Sequence, residues 1–512
     1  METPSQSTLA LLGVAALSIA LYSNTQRKKR DQLPPSLPQQ FFLGNMKDFP
    51  SKGEMWVEHR DIAQKLDSDW VNFNMMGNNM LVLNSYQAAN ELLDKRGAVY
   101  SGRPRLVMLN ELIGWDWNLS LMDAEKPHFV SYRRVLSQQF QPSAVAESYH
   151  PLIRPEVVVM LKNILDRPED FRQLIKHMTS SLILMIVYGH RTSPNEDRFV
   201  KIMEDARDDS IVASEKYSFV DFFPFLKHLP EWLPGAGFKK LKFAREARSV
   251  STAARREPYL TVKERLVAGT AKSCMMTTLL DDDSLKTSGL DREELIMDCT
   301  SALYGAGVDT TSVSLSTFVL CMLKNPEVQR RAQKELDSVT GGTRLPEYAD
   351  RPNLPYIESI LKESLRWLPV APLGVPHRVF KDDTYRDKLI PKNTTVFANI
   401  WAMMYDPEVY ASPKLFMPER FIANAGKGAE PDPKRAVFGF GRRVCPGMHL
   451  ADATMWLSVA MVLATFDILA PTDGSVERPV EVTSTFTAAP PEFKCVFKPR
   501  SEAAMKLVRM EV

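Results

Sequence analysis

Cysteine is scarce in this chain of 512 residues: there are five, at Cys274, Cys299, Cys321, Cys445 and Cys495, with no CxxC pair. Neither a disulfide framework nor a structural zinc site is indicated, since both need paired or clustered sulfur. Charge of one sign is also lacking. Lys and Arg total 64 against 62 Asp and Glu, a formal balance of +2. That gives no bulk argument for nucleic acid, which is usually met by a basic face. From about residue 40 to the end no internal repeat or low-complexity tract occurs. With 44% apolar and 25% charged residues the composition is globular. No P-loop, Rossmann fingerprint or flavin segment is found. Gly305-x-Gly307 has no strand before it and Thr at 310, so it is no dinucleotide turn.

The one long apolar run is N-terminal. Leu9 to Tyr22 reads LALLGVAALSIALY, preceded by Glu2 without Lys or Arg and followed by Arg27, Lys28, Lys29 and Arg30. The missing basic n-region and cleavage site argue against a cleaved signal. Basic residues stay cytosolic, so residues 1–25 are expected to form a single transmembrane anchor with the catalytic bulk in the cytosol. Residues 26–40, with Leu33-Pro34-Pro35-Ser36-Leu37-Pro38, are expected to form a stiff extended hinge. The sequons at Asn118 and Asn393 are chance matches if the globule is cytosolic.

Residues 41–512 read as one mainly α domain with small β-sheets. Alternating apolar residues predict strand around Trp70–Asn84. Helical periodicity covers Ser143–Tyr188, Asp291–Lys324, Pro326–Val339, Tyr356–Trp367 and His449–Phe466. Between Leu368 and Arg443 the chain turns loop-like and Pro-rich, and a meander this long is usually functional.

The most informative string follows that meander: Phe438-Gly-Phe-Gly-Arg-Arg-Val-Cys-Pro-Gly447. Gly439 and Gly441 permit tight backbone geometry beside a flat partner. Cys445 sits just before an apolar helix, whose dipole and free N–H groups favour a thiolate, and Arg442 and Arg443 add positive charge. The string resembles the haem-ligand signature of the cytochrome P450 family, F-x-x-G-x-R-x-C-x-G, with Phe438, Gly441, Arg443, Cys445 and Gly447 at its fixed positions. The resemblance implies haem b with Cys445 as the proximal thiolate ligand.

Three further motifs fit the family order. Glu363-Ser-Leu-Arg366 places two opposite charges on one helix face. With Pro418-Glu419-Arg420-Phe421 it is similar to the family's structural triad of Glu363, Arg366 and Arg420. Ala306-Gly307-Val308-Asp309-Thr310-Thr311 puts two helix-weakening features, glycine and an acid, into an apolar helix. It resembles the family's distal helix. That implies Thr310 as the hydrogen-bonding group at bound dioxygen and Asp309 as a proton relay through water. In Lys126–Pro142, Arg133 fits the family's propionate-binding arginine, while Phe129 stands where Trp is usual and has no N–H to donate. Pro376-His377-Arg378 is similar to a second propionate contact, by either His377 or Arg378.

By the same resemblance the substrate pocket is lined by Ala302, Ala306, Val370, Ala371, Leu373 and Phe486, mostly apolar, which suits a lipophilic molecule. Tyr217–Gly235, rich in aromatic residues, is expected to be a second membrane contact. The implied protein is a monooxygenase on the endoplasmic reticulum membrane, similar to fungal enzymes of secondary metabolism. It would draw electrons from an NADPH-dependent reductase, with cytochrome b5 as a second donor, and bind no nucleic acid. The rival readings are a reductase-independent isomerase or dehydratase, and a silent haem-binding protein.

Overall fold

The computed structural model describes residues 31–193, 196–216, 219–228, 236–287, 291–423, 428–471, 483–484 and 487–511. The anchor segment and Phe486 therefore lie outside the described residues. The principal helices are α1 His128–Gln139, α2 His150–Asp166, α3 Phe171–Tyr188, α4 Arg198–Lys216, α5 Ala236–Val267, α6 Arg292–Lys324, α7 Pro326–Thr340, α8 Pro355–Trp367 and α9 Met448–Thr465. Asp291 caps α6 by accepting from the amides of Glu293 and Glu294, which fixes the start of that helix. The predicted run Ser143–Tyr188 is broken between α2 and α3, because Arg167 leaves the helical region and Pro168 opens a separate turn before α3.

Among the described residues two helices, α6 and α9, are long and apolar enough to cross a membrane, but both are mostly buried inside the fold. Burial on all sides, not lipid, explains their composition. They pack with α2, α3 and α8 around one core that includes Leu184, Phe318, Leu361 and Trp456.

The predicted strand region is a hairpin. β1 Trp70–Met75 pairs antiparallel with β2 Asn78–Leu83 across a Met76-Gly77 turn, both residues with positive φ. The meander contributes β3 His377–Arg378, β4 Asp383–Tyr385, β5 Lys388–Ile390 and β6 Thr395–Ala398. The four-stranded sheet runs β1-β2-β6-β3. This sheet carries His377 to the site, a placement set by β3–β6 pairing rather than by local sequence.

The described part of the expected hinge is fastened to the globule. The Asn72 amide donates to the Pro35 carbonyl at 2.8 Å, the Leu389 amide donates to Gln32 at 2.7 Å, and Pro34 is buried. Proline keeps the segment extended, and its free carbonyls then suit a strand edge.

The segment Val107–Leu112 is tied to the short helix Phe219–Phe222 by Asp221, whose Oδ1 accepts from the Met108 amide at 3.0 Å. Burial pushes the Asp221 carboxyl up to about 6 against these N–H donors. The folded state thus holds this proton more tightly than the unfolded chain does. The advantage is full at acid pH and is lost as pH rises from the ordinary carboxylate range through 6. Asp221→Asn keeps an acceptor without a charge. It is expected to raise the apparent melting temperature at pH 7.5 by about a degree or two, the gain vanishing as pH falls to the ordinary carboxylate range. A thermal scan across pH checks it.

Candidate active site

The site is built around the turn Phe438–Gly447. The Cys445 amide donates to the Phe438 carbonyl at 2.8 Å and closes the turn. Gly441 has φ +51, and a Cβ there would stand 2.5 Å from the Leu93 carbonyl, so only glycine lets the turn dock on that segment. Gly447 then opens α9. Two arginines fasten the turn to its surroundings, one from α1 and one from the turn itself. Arg133 of α1 donates to the Val444 carbonyl at 2.8 Å, and Arg443 donates to the carbonyls of Ser101, Leu119 and Met122 at 2.8, 3.1 and 2.7 Å.

The electrostatics at the thiol differ from the sequence expectation. Arg442 is exposed, and the Arg443 guanidinium is committed to three carbonyls. Burial pushes the Cys445 thiol up, and the Gly447 amide and Arg133 oppose that rise. A metal ligand must lose its proton, so metal loading here releases one.

Arg103, Arg133, His377 and Arg443 line the same cavity as Cys445. Burial lowers the basicity of all three arginines, Arg443 to about 10. Arg103 donates to the carbonyls of Ser120, Val375 and Pro376 at 2.7, 2.9 and 2.7 Å. His377 Nδ1 donates to the Tyr100 carbonyl at 2.8 Å, and burial with Arg103 beside it drives its pKa well down. Bound carboxylates would supply the counter-charge these groups lack.

Arg378, the other expected contact, does not line the cavity. It is held by Asp123, by Glu125 at 3.0 Å and by Asn393 at 2.9 Å, because consecutive residues of a strand face opposite sides. Phe129 lines the cavity beneath Arg443, whose guanidinium carbon lies 4.2 Å from its ring centroid. It stacks on the cation instead of donating a bond. Arg103 was missed in the sequence because no motif surrounds it.

The opposite wall is α6. Gly307 permits close packing, since a Cβ there would lie 2.8 Å from Ile183 Cδ1 of α3. The Thr310 hydroxyl donates to the Ala306 carbonyl at 2.7 Å, leaving its oxygen as an acceptor. Asp309 is not free: its Oδ1 accepts from Arg207 Nη1 of α4 at 2.9 Å. That partner is 102 residues away in sequence, so local reading could not supply it.

The expected triad is present and has a fourth member. Glu363 and Arg366 pair through two bonds of 2.7 and 2.8 Å, both side chains 0% exposed. Arg420 Nε lies 3.1 Å from Glu363, and its Nη1 lies 2.7 Å from Glu430. Arg366 also donates to the carbonyls of Met404 and Pro413, both at 2.9 Å, and so fastens the meander. Glu430 gives the second arginine its own carboxylate.

All of this encloses a cavity of about 530 Å³. Ala302, Ala306, Val370 and Ala371 line it as expected, with Asp309, Thr310, Phe438 and Cys445. Leu373 does not. It packs with Trp56, Leu368 and Ala488 on the far side of the loop. Trp115, Trp117 and Arg207 are lining residues that the sequence did not single out.

The cavity fits a haem. Its walls carry one thiol at a helix start and a cluster of buried cations suited to carboxylates. Among the described residues no group of three or more His, Cys, Asp or Glu could hold a metal by themselves, so iron here would need ligands from a macrocycle.

A family model described as cytochrome P450 matches residues 34–497. The chain is 39% identical to cytochrome P450 monooxygenase 208 of Postia placenta, covering 97% of this chain and 96% of that one. It is 37% identical to a cytochrome P450 monooxygenase of Armillaria gallica, covering 94% of each. With the tryptamine 4-monooxygenase of Psilocybe cyanescens it shares 36% identity over 97% of this chain and 99% of that one.

Proposed function

The chain belongs to the cytochrome P450 family, and from that premise we propose that it is a membrane-anchored monooxygenase that oxidises a small lipophilic molecule in fungal secondary metabolism. Electrons come from a separate NADPH-dependent reductase, with cytochrome b5 as a second donor. Residues 1–25 hold it to the endoplasmic reticulum membrane with its catalytic domain in the cytosol. Phe225 is 66% exposed beside Phe223, and Phe41 is 81% exposed, which supports contact between the globule and lipid.

The observation that carries the catalytic reading is the two-sided cavity: Cys445 and the buried cations on one wall, Asp309 and Thr310 on the other. Haem held there supplies the redox iron for oxygen activation. Cys445 holds the iron, while Arg103, Arg133, Arg443 and His377 hold the carboxylates. The apolar lining excludes bulk water and favours a lipophilic substrate. The Thr310 oxygen can hold a water or hydroxyl proton within the chamber, and Asp309 can pass a proton to it through water. Arg207 orients the Asp309 carboxyl through its bond to Oδ1.

Thr310→Ala is expected to retain haem but to divert electrons, so peroxide per NADPH consumed should rise several-fold, with Thr310→Ser restoring most of the coupling. Stopped peroxide and NADPH assays with reconstituted reductase check this. Unchanged coupling in the alanine variant removes Thr310 from the relay. Substrate turnover without reductase would instead support an isomerase.

A further inference from the structure

One wall of the cavity is aromatic. Trp115 and Trp117 both line it, their rings stacked at 5.5 Å with planes 19° apart. They sit on an irregular segment between Ile113 and Leu121 that has few ladder bonds of its own. Behind Trp117 stands Arg255 of α5, its guanidinium carbon 5.7 Å from the Trp117 ring centroid. Arg255 bonds to Oδ1 of Asp298 on α6, and its Nη2 lies 3.3 Å from Glu294. The Arg255 carbonyl accepts the hydroxyl of Ser301, another lining residue, at 3.0 Å.

Asp298 is 4% exposed, and its second oxygen accepts the hydroxyl of Tyr132 from α1. The groups that face it are thus Tyr132 from α1, Arg255 from α5, and Glu294 and the buried Cys299 from its own helix. A carboxylate this buried needs its partners. A long arginine side chain, for its part, stays in one geometry only when something fixes it.

We propose that Asp298 and Arg255 are positioning residues for the substrate chamber. Asp298 fixes the guanidinium, the guanidinium fixes Trp117 by lying against its ring, and the stacked tryptophans shape the space open to bulky ring-bearing apolar ligands. The inference rests on the reading that this cavity is a haem chamber. It adds a determinant of which ligands fit, separate from the iron.

The column is charged at neutral pH. Burial pushes Asp298 up to about 6, opposed by Tyr132 and Arg255, so the carboxylate is present at pH 7.5 and lost as pH falls through 6. Selectivity for bulky ligands should fall in the same direction.

The test uses ferric holoprotein and two azoles titrated optically at pH 7.5. Imidazole reads access to the iron, and 4-phenylimidazole reads the chamber wall as well. In Asp298→Asn and Arg255→Met the phenylimidazole dissociation constant is expected to rise about 5–10-fold, with imidazole within about twofold. The double variant should be no weaker than Arg255→Met alone, because Asp298 acts through Arg255. Arg255→Lys should recover much of the ratio. At pH 5.5 the wild-type ratio should approach that of Asp298→Asn. Azole protonation is common to both proteins and cancels.

Equal losses for both azoles, no loss, or additive losses in the double variant overturn the proposal. If Arg255→Met does not hold haem, Trp117→Leu cuts the column at its other end, and Asp298→Asn should then add nothing to it. An added loss overturns the proposal. Wild-type protein that gives no spectral response to imidazole sinks the haem reading and this one with it. Normal imidazole binding with an unmoved ratio sinks this one alone.

Discussion

Cys445→Ala is expected to abolish the thiolate-type Soret band of the reduced, carbon-monoxide-bound protein and to remove all monooxygenase activity. Cys445 is the thiol that lines the cavity, held at the start of α9 by the bond from its own amide to Phe438. Among the described residues the other cysteines are elsewhere: burial keeps Cys299 and Cys321 protonated in the core, and Cys495 is likewise pushed up to about 12. The turn itself should survive the change, because Arg133 and Arg443 hold it through backbone carbonyls. The variant is therefore expected to fold and to retain some haem through its carboxylates, without the thiolate spectrum. A thiolate-type band that persists in Cys445→Ala overturns the ligand assignment.

Glu363→Ala is expected to have the largest effect on stability. Its carboxylate accepts two bonds from Arg366, a third from the Met417 amide at 2.8 Å, and faces Arg420. Removing it leaves the fully buried Arg366 guanidinium with backbone carbonyls but without its carboxylate, and leaves Arg420 with Glu430 and two backbone carbonyls. Breaking a buried pair by deleting one partner costs about 3–5 kcal/mol. A domain's whole stability is of order 5–15 kcal/mol, so most of the haem-loaded yield should be lost. Glu419 is the internal control. It lies beside Arg420 in sequence but pairs with the half-exposed Arg331 at 2.7 Å, where solvent screens the ion pair, and accepts the Tyr356 hydroxyl at 2.8 Å. Glu419→Ala should cost no more than about 2 kcal/mol. Denaturant midpoints and the ratio of carbon-monoxide-binding to total protein measure both. Equal effects at Glu363 and Glu419 would refute the view that burial sets the difference.

Much of this site is legible before folding. The string from Phe438 to Gly447 specifies a ligand, two obligatory turn glycines and a helix start within ten residues of chain. The i,i+3 spacing of Glu363 and Arg366 predicts their pairing, and it forms. Asp309 and Thr310 break the apolar pattern of α6, and both line the cavity. These features are local: spacing along one helix or one turn fixes the geometry, and no distant contact is needed to read them.

The tertiary structure decided which side chain faces the cavity and what partners it there. Between His377 and Arg378 the pairing of β3 with β6 chooses His377, because alternate strand residues point to opposite faces. Leu373 turns away on an irregular loop that has no period to read. Arg103, Arg207, Glu430 and the column from Asp298 to Trp117 carry no motif. Each gains its role from a residue brought close by packing, as Arg207 does from Asp309. The described hinge, whose prolines foretold extension, is fastened by the Asn72 amide of β1. Extension is a property of a residue's own φ, whereas docking belongs to the surface it meets.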